Sequence, residues 1–476
     1  MNILVYVIDC LRADHVSCYG YQRETTPNID ALAADGIRYE QCFSPATWTR
    51  PVSASILTGL YPPAHGVRHR EDTFSKGLPR LPRSLKQSGF ETVGVSTMGN
   101  VSSALGYDVG FDQFFDLYKE DEIIRKRTNT STNKQRLWHE NQDKIALPKA
   151  EDINDYLLPS INSSGEDLFS FAWSIDPHMP LNSSPQYTEF VNSAYDGPID
   201  GTHESIPDEL TEADLNHLRG LYDSEVRYTD EQFGLVIDEL KRQGEYDESL
   251  IIVLGDHGEA FGEHGQFFHG NRPHDEVIHV PLIIKPPRGT VSTNSSVDTP
   301  VSLIDIFPTV NHIVDGEPLP ERVQGKVLPP YQPTDEDRPI FSETEVRDIE
   351  PAFRSVRTSQ WKYIDIQYPS LRHVIEQMYR QRDMLPSTRY ALSVIRDVLY
   401  SKLSRFDEEL LYQIDDDAGE RNNVATDYPA ALERVQTTLE EWLTDCQLIY
   451  DQNASDDNHH IDDATAEQLR QLGYTD

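Results

Sequence analysis

Two short apolar runs of the sequence lead to side chains that bind metal ions. Asp9 follows residues 3–8, and Asp256 and His257 follow residues 250–254 after one glycine. A single Asp after a strand is usually a helix cap, but adjacent ligands between glycines are uncommon. Two carboxylates favour Ca²⁺, Mg²⁺ or Mn²⁺, whereas an imidazole also suits Mn²⁺ or Zn²⁺. The pattern predicts a site for one divalent cation, provided that both runs end at one edge of a sheet.

A threonine precedes a short predicted helix in the first part of the chain. Pro51 is suited to the first turn of that helix, residues 53–57 continue it, and Thr49 lies one or two positions ahead of it. The positive end of a helix and a nearby cation would both ease deprotonation of the hydroxyl, which could then attack phosphorus or sulfur. An ordinary N-cap is the alternative interpretation of Thr49, and the segment alone leaves both open.

The elements that must position these residues are buried strands alternating with helices. Predicted parallel strands cover residues 3–8, 92–95, 168–175, 250–254 and 280–284. A helix is predicted from Pro27 to the glycine at 36, and another from about Thr211 to Arg242. This alternation predicts an α/β domain with a central parallel sheet. Ligands of such sheets bind beyond the carboxyl ends of the strands, where His178 also lies.

The chain is long enough for two domains. We predict a large α/β domain over residues 1–330, with an insertion at 119–150. A smaller α+β domain is predicted over residues 331–476. Within it we expect a strand at 354–366, a helical insertion at about 369–405, a helix at 429–443 and an acidic tail.

Acidic residues dominate the composition. The sequence has 80 Asp and Glu against 42 Lys and Arg, a net charge of −38, which disfavours binding to nucleic acid and anionic membranes. Dispersed acid is also typical of halophilic proteins. No apolar run reaches the roughly 18 residues of a membrane span, and residues 3–8 lack the flanks of a signal peptide. With four scattered cysteines, these features predict a cytoplasmic location.

Taken together, these motifs resemble the sulfatase family of the alkaline phosphatase superfamily. Similar segments include NILVYVIDCLRADHVSCYG, PVSASILTGLYPPAHGV, SIDPHMP and IIVLGDHGEAFGEHGQFFHG, of which DHGE followed by GEHG is the most specific. The resemblance spans nearly the whole chain. It implies an alkaline-phosphatase-like large domain, with a central mostly parallel sheet flanked by helices, and a smaller C-terminal α+β domain.

The resemblance also implies roles for individual residues. Asp9, Asp256 and His257 match metal ligands, and Thr49 matches the nucleophile, which also touches the metal. Three further positions have implied roles: His178 and His269 as cationic groups that hold the ester and assist the leaving group, and Asn100 as a substrate contact. Arg50, a positive group next to Thr49 in sequence, is a further candidate substrate contact. The implied substrate is an ester of a small molecule, a glycan or a lipid headgroup.

The sequence departs from the family pattern at the nucleophile. Sulfatases carry Cys or Ser, matured to formylglycine, in a Cys/Ser-x-Pro-x-Arg pattern, whereas this chain has Thr49 and, in place of the arginine, Ser53. One Asp of the usual Asp-Asp pair is Cys10, and a common Lys is replaced by His269. A threonine at the nucleophile position resembles the nucleophile of phosphate-ester enzymes in the superfamily. Hydrolysis of phosphate mono- or diesters is therefore our first interpretation of the function. A sulfatase, a phosphotransferase to an alcohol and a non-catalytic anion-binding homologue are the alternatives.

Overall fold

A computed structural model of the protein describes residues 1–129, 147–163, 167–181, 187–207, 209–316, 322–333, 335, 337–380, 409–453 and 463–471. In these ranges the strands are β1 (Asn2–Ile8), β2 (Ile37–Phe43), β3 (Glu91–Ser96), β4 (Gln113–Asp116), β5 (Leu168–Ser174), β6 (Leu250–Gly255), β7 (Ala260–Phe261), β8 (Phe267–Phe268), β9 (His279–Lys285), β10 (Ser295–Val297), β11 (Val301–Ser302), β12 (Ile340–Thr344), β13 (Ala352–Arg357), β14 (Trp361–Gln367) and β15 (Glu409–Gln413). The α-helices are α1 (Pro27–Asp35), α2 (Thr49–Thr58), α3 (Pro62–His65), α4 (Leu81–Gln87), α5 (Asp121–Asn129), α6 (Ala150–Ser163), α7 (Glu212–Gln243), α8 (Asp275–Ile278), α9 (Ile306–Asp315), α10 (Leu371–Arg380), α11 (Pro429–Asn453) and α12 (Asp463–Gln471).

The central sheet is mixed and mostly parallel. Its strands lie in the order β10-β2-β9-β6-β1-β5-β3-β4, and β11 also pairs with β2. We predicted residues 280–284 as a further parallel strand, but β9 runs antiparallel to both β2 and β6. This prediction was wrong because a strand that is buried on both faces is apolar whichever way it runs.

Strand β1 shows why the sheet is buried on both faces. Its side chains alternate between two apolar layers, with Ile3, Val5 and Val7 in one and Leu4, Tyr6 and Ile8 in the other. Helices α2, α4, α9 and α11 contribute to the first layer, and α1, α6 and α7 to the second. The predicted α1 and α7 are confirmed, and Thr211 caps α7 through a reciprocal pair of hydrogen bonds with Asp214.

The pairing register brings three strand ends together. Ile8, the last residue of β1, lies opposite Ser174 at the end of β5 and Gly255 at the end of β6. Because these three strands are parallel, the polar residues that follow them emerge at the same edge of the sheet. This edge is where the sequence predicted a cation site.

A separate small sheet forms in the C-terminal part of the chain. Strands β12 to β15 are antiparallel in sequence order. The single strand predicted at 354–366 is two strands, β13 and β14, because the chain turns back at residues 358–360. Helix α11 continues beyond the predicted 429–443 to Asn453. Helices α5 and α10 lie within the two predicted insertions, and α6 begins where the first one ends. Residues 130–146 and 381–408 lie outside the described residues. The domain boundary at residue 330 stays a prediction.

The sequence predicted no segment that spans a membrane. Among the residues described, no helix combines the length and the apolar character that crossing a bilayer requires.

Buried ion pairs connect the small sheet to the central sheet. The Lys362 ammonium of β14 is fully buried and lies 2.5 Å from Glu420 and 2.7 Å from Asp275, which begins α8 just before β9. Arg357 of β13 also contacts Asp275, at 2.8 Å. Burial and the neighbouring Asp275 raise the pKa of Glu420 to about 8, whereas Lys362 and Arg357 act in the opposite direction and favour its charged form.

Removing the Lys362 ammonium should therefore destabilise the protein. Because Glu420 would be left buried beside Asp275, we expect Lys362→Ala to lower the free energy of unfolding by about 3 kcal/mol. Chemical denaturation measures this change, with Lys76→Ala on the exposed surface as the matched control. Equal unfolding midpoints for the two variants would contradict a stabilising role for the network.

Candidate active site

The turn after β1 places two adjacent side chains in the same site. Successive residues of a strand point to opposite faces, but Cys10 adopts φ 60°, in the left-handed region that non-glycine residues rarely occupy. The turn is held on both sides of Cys10: its backbone N–H donates to Asp256 Oδ1 at 3.0 Å, and its carbonyl accepts from the Tyr222 hydroxyl at 2.6 Å. The Cys10 thiol lies 3.1 Å from Asp9 Oδ1.

The residues after β6 complete a compact group of ligand atoms. Asp256 Oδ1 accepts from the backbone N–H groups of Cys10 and His257, whereas no described residue donates a hydrogen bond to Oδ2. His257 Nδ1 lies 2.9 Å from the carbonyl of Gly258, so this nitrogen carries the proton. Its Nε2 is then free to accept, and it lies 3.3 Å from Asp256 Oδ2. This orientation is typical of a metal-binding histidine.

Thr49 joins the same group from the first turn of α2. Its hydroxyl lies 3.2 Å from Asp9 Oδ2 and 3.3 Å from His257 Nε2. The helix begins at Thr49 itself, so the predicted position ahead of the helix was slightly wrong. The N-cap position belongs to Trp48, and the Thr49 hydroxyl faces Asp9 and His257. The capping interpretation of Thr49 is therefore excluded.

Burial makes this group of side chains energetically unfavourable unless a cation binds to it. The side chains of Asp9, Thr49, Asp256 and His257 are completely buried. Desolvation raises the pKa of Asp9 to about 7, raises that of Asp256 well above its usual value and lowers that of His257 well below its own.

The donor set fits a divalent ion. Ligand atoms of Asp9, Asp256 and His257 lie within 4.8 Å of one another. Within the described part of the chain, no Lys or Arg forms an ion pair with either carboxylate. Two buried carboxylates, an imidazole and a hydroxyl suit Ca²⁺, Mg²⁺ or Mn²⁺, and Zn²⁺ is compatible with the imidazole.

The two other predicted imidazoles lie beside this group. The ring of His269 packs between those of His257 and His178, with centroids 4.6 and 5.0 Å away. His178 Nδ1 lies 2.5 Å from the carbonyl of Met179. The sequence predicted cationic groups here, but burial lowers the pKa of both His178 and His269 to about 3. Desolvation therefore favours the neutral form of both rings, and their role as cationic groups stays a prediction.

The two predicted substrate contacts bind each other. Arg50 is fully buried, and its Nε and Nη2 donate to Asn100 Oδ1 at 3.1 and 2.9 Å. Its Nη1 donates to the backbone carbonyls of Arg70 and Asp72. These bonds occupy the guanidinium and hold the loops that bring Asn100 towards α2. A substrate contact by either side chain stays a prediction.

Sequence reasoning missed three residues of the site. Trp173 Nε1 donates to Asp9 Oδ2 at 3.1 Å, and Glu259 Oε1 lies 3.2 Å from His269 Nδ1. Cys10 was noted only as a departure from the family pattern. Glu259 stands in the specific DHGE motif, which is a signal that could have found it, whereas nothing in the sequence singles out Trp173 among the buried aromatics.

The fold and the site define a hydrolase that acts on ester bonds. A hydroxyl, two carboxylates and an imidazole meet at the carboxyl edge of a mixed α/β sheet. The Sulfatase family model matches residues 1–316, and the chain belongs to the sulfatase family. Members of this family typically bind a divalent metal, which agrees with the ligand atoms gathered here.

Proteins that are similar to this chain include sulfatases and a phosphonate monoester hydrolase. The chain is 26% identical over 355 residues to an uncharacterized sulfatase, YidJ, of Escherichia coli, covering 68% of this chain and 70% of that protein. It is 24% identical over 396 residues to an N-acetylglucosamine-6-O-sulfatase of Bacteroides thetaiotaomicron, covering 69% and 70%. The structure of a phosphonate monoester hydrolase of Silicibacter pomeroyi is similar with a TM-score of 0.69 at 21% identity, covering 93% and 95% of the two chains.

The site geometry predicts that a divalent cation stabilises the fold. At about 100 times its dissociation constant, Mn²⁺ should raise the free energy of unfolding by about 2.7 kcal/mol, since only the folded chain gathers the ligands. Asp256→Ala should abolish this increase, whereas Asp223→Asn should keep it, because Asp223 is equally buried but bonds His15 and Arg23 instead. Denaturation with and without Mn²⁺ measures both effects. An undiminished increase in Asp256→Ala would place the cation elsewhere.

Proposed function

We propose that the protein hydrolyses phosphate mono- or diesters through attack of Thr49 on phosphorus. The observation that carries the proposal is the position of the Thr49 hydroxyl, within hydrogen-bond distance of both Asp9 Oδ2 and His257 Nε2. This position supports the proposal, because the candidate nucleophile lies beside two proposed ligands of a divalent cation. The ester substrate would be a small molecule, or part of a glycan or lipid headgroup.

The identity of the nucleophile favours phosphorus over sulfur. A formylglycine hydrate releases sulfate by expelling it from a geminal diol. Threonine cannot form that hydrate, so its covalent ester must be cleaved by water at the central atom. Phosphoryl enzymes turn over by that route, and the similar phosphonate monoester hydrolase fold supports chemistry at phosphorus on this scaffold.

Several side chains of the site contribute to the first step, in which the covalent ester forms on Thr49. A cation held by Asp9, Asp256, His257 and Thr49 would polarise a non-bridging ester oxygen and lower the pKa of the Thr49 hydroxyl. The hydroxyl proton leaves along its hydrogen bond to Asp9 Oδ2. Thr49 Oγ1 then bonds to phosphorus in line with the departing alcohol oxygen, whose bond to phosphorus breaks.

His178 and His269 serve the leaving group and the attacking water. An anionic ester beside the two rings raises their pKa, so one imidazole can carry the proton that the leaving oxygen takes. That ring is neutral after the transfer and accepts a proton from the water that attacks the phosphorylated Thr49. The bond between phosphorus and Oγ1 breaks, and Oγ1 regains its proton.

Sulfate ester hydrolysis is the second candidate function. The chain is also similar to sulfatases, including the N-acetylglucosamine-6-O-sulfatase of Bacteroides thetaiotaomicron. Without formylglycine, hydrolysis of the sulfated Thr49 would need direct attack of water on sulfur. For this reason sulfate ester hydrolysis is less favoured than phosphate ester hydrolysis.

A panel of chromogenic esters separates the two candidates. We expect p-nitrophenyl phosphate or bis-p-nitrophenyl phosphate to be cleaved with a higher kcat/KM than p-nitrophenyl sulfate. Activity should disappear with a chelator and return with Mn²⁺, because the ligand set depends on the cation. Assays at low and at molar KCl also test the halophilic interpretation. A higher kcat/KM for the sulfate ester would overturn the preference for phosphorus.

Replacement of the nucleophile tests the role of Thr49. Thr49→Ala should lower kcat by about 10³-fold or more, since it removes the atom that forms the covalent ester. Thr58→Ala is the matched control, because it removes a hydroxyl at the other end of the same helix, where Thr58 bonds the Ala54 carbonyl. Equal activity of the two variants would remove Thr49 from the mechanism.

A further inference from the structure

The GEHG segment of the sequence forms the tip of a hairpin whose base lies in the active site. Strands β7 and β8 are two residues long each and pair antiparallel. Glu259 and His269 flank the base of this hairpin, where Glu259 Oε1 lies 3.2 Å from His269 Nδ1. His264 is at the other end, in the turn between the two strands. The position of His269 thus depends on how the hairpin is held.

Both ring nitrogens of His264 face oxygen atoms of other elements. Nδ1 lies 2.8 Å from Glu276 Oε1 on α8. Nε2 lies 3.2 Å from the carbonyl oxygen of Gly419 and 3.1 Å from that of Glu420, in the loop after β15. Carbonyl oxygens only accept hydrogen bonds, so Nε2 carries a proton. His264 therefore connects the hairpin tip to α8 and to the segment that follows the small sheet.

The carboxylate of Glu276 calls for a proton on Nδ1 as well. The Glu276 side chain is 8% exposed, and the cationic partner with which it pairs in the described ranges is His264. Although desolvation acts to raise it, the hydrogen bond and the charge of His264 lower the pKa of Glu276. The same hydrogen bond raises the pKa of His264 above its ordinary value. With protons on both nitrogens, His264 is an imidazolium.

The other charged side chains near His264 come from several elements, and most of the cations among them are already paired. The carboxylates are Asp14 after β1, Glu263 on the hairpin, Asp275 on α8 and Glu420 after β15. The basic groups are Arg12 after β1, Arg272 before α8, His279 on β9, Arg357 on β13, Lys362 on β14 and Arg421 after β15. Arg12, Arg357 and Lys362 are each bound to one of these carboxylates. Glu276 is left to His264, whose charge it stabilises.

His274 stacks on His264 without competing for the proton. The two rings are nearly parallel, with centroids 3.7 Å apart. Burial and the nearby Lys362 lower the pKa of His274 to about 3, which favours its neutral form. His264 and Glu420, which meet here, both have φ 52°, in the left-handed region. Such strain persists where the surrounding structure holds it, so the contact is a specific one.

We propose that His264 is a positioning residue: its imidazolium fastens the hairpin tip to Glu276 and to the loop after β15, and so fixes where His269 lies at the hairpin base. When Nε2 loses its proton to solvent, a lone pair faces the two carbonyl oxygens and this link breaks. Another part of the hairpin is held separately, since Arg12 Nη1 donates to the Glu259 carbonyl at 2.9 Å. Release of the tip therefore loosens the hairpin without unfolding it.

This link makes the site sensitive to alkaline pH. Because the pKa of His264 in the folded chain is raised above 6.5, the link is complete below pH 6.5 and is lost as the pH rises through the higher value. The effect on catalysis rests on the proposed function, in which His269 serves the leaving group and the attacking water. The state of the hairpin itself can be measured whether or not an ester is cleaved.

Hydrogen–deuterium exchange of the full-length protein with Mn²⁺ bound measures the hairpin directly. His264→Asn removes the charge, and asparagine tolerates a left-handed backbone. At about pH 6, backbone amides of residues 260–268 should exchange about 10-fold faster in His264→Asn than in the wild type. His373→Gln is the matched control, because His373 also pairs with a carboxylate, that of Asp348, and should exchange as the wild type does. Equal exchange in the wild type and His264→Asn would overturn the proposal without reference to any substrate.

The pH dependence of kcat tests the link between the hairpin and His269. With the ester that is cleaved best, His264→Asn should lower kcat about 10-fold at about pH 6 and change KM by less than about twofold. The ratio of wild-type to variant kcat should fall towards 1 as the pH rises through the pKa of His264, and His373→Gln should give a ratio near 1 throughout. A ratio that stays constant with pH would contradict the role of the proton. If no ester is cleaved, the proposed function fails, and the exchange measurement alone decides the role of His264.

Discussion

Burial of negative charge at one edge of the central sheet is the constraint on which the site depends. Asp9 and Asp256 lie at the ends of two adjacent strands with no water access and no ion pair to Lys or Arg among the described residues. Such carboxylates are costly unless a cation or hydrogen-bond donors compensate them. Backbone N–H groups, the Trp173 indole and the Thr49 hydroxyl supply part of this compensation. The remainder calls for a metal ion.

The fold meets this constraint through features that are far apart in the sequence. Parallel pairing of β1 with β5 and β6 brings three loops to one edge, and the left-handed turn at Cys10 aims two consecutive side chains into one site. Helix α2 then presents Thr49 with its positive end towards the carboxylates. The hydroxyl is thus held beside both anions before any substrate arrives.

Much of this arrangement could be predicted from the sequence, because it follows from residue patterns within short segments. Apolar runs that end in Asp9 and Asp256 identify buried strands and their polar ends, and residues near Thr49 identify a helix start. The direction of β9 and the two-strand hairpin at 354–366 could not be predicted, since they depend on pairing between distant segments. The lowered pKa of His178 and the hydrogen bond from Arg50 to Asn100 could not be predicted either, since they depend on which side chains the fold brings together.

Anomalous diffraction from crystals grown with Mn²⁺ would locate the cation. We expect a peak within about 2.0–2.6 Å of oxygen or nitrogen ligands on Asp9, Thr49, Asp256 and His257. Coordination by the Thr49 hydroxyl would connect the candidate nucleophile to the ion. A peak at another place in the molecule, or one bound by the carboxylates with the Thr49 hydroxyl turned away, would contradict the proposed chemistry.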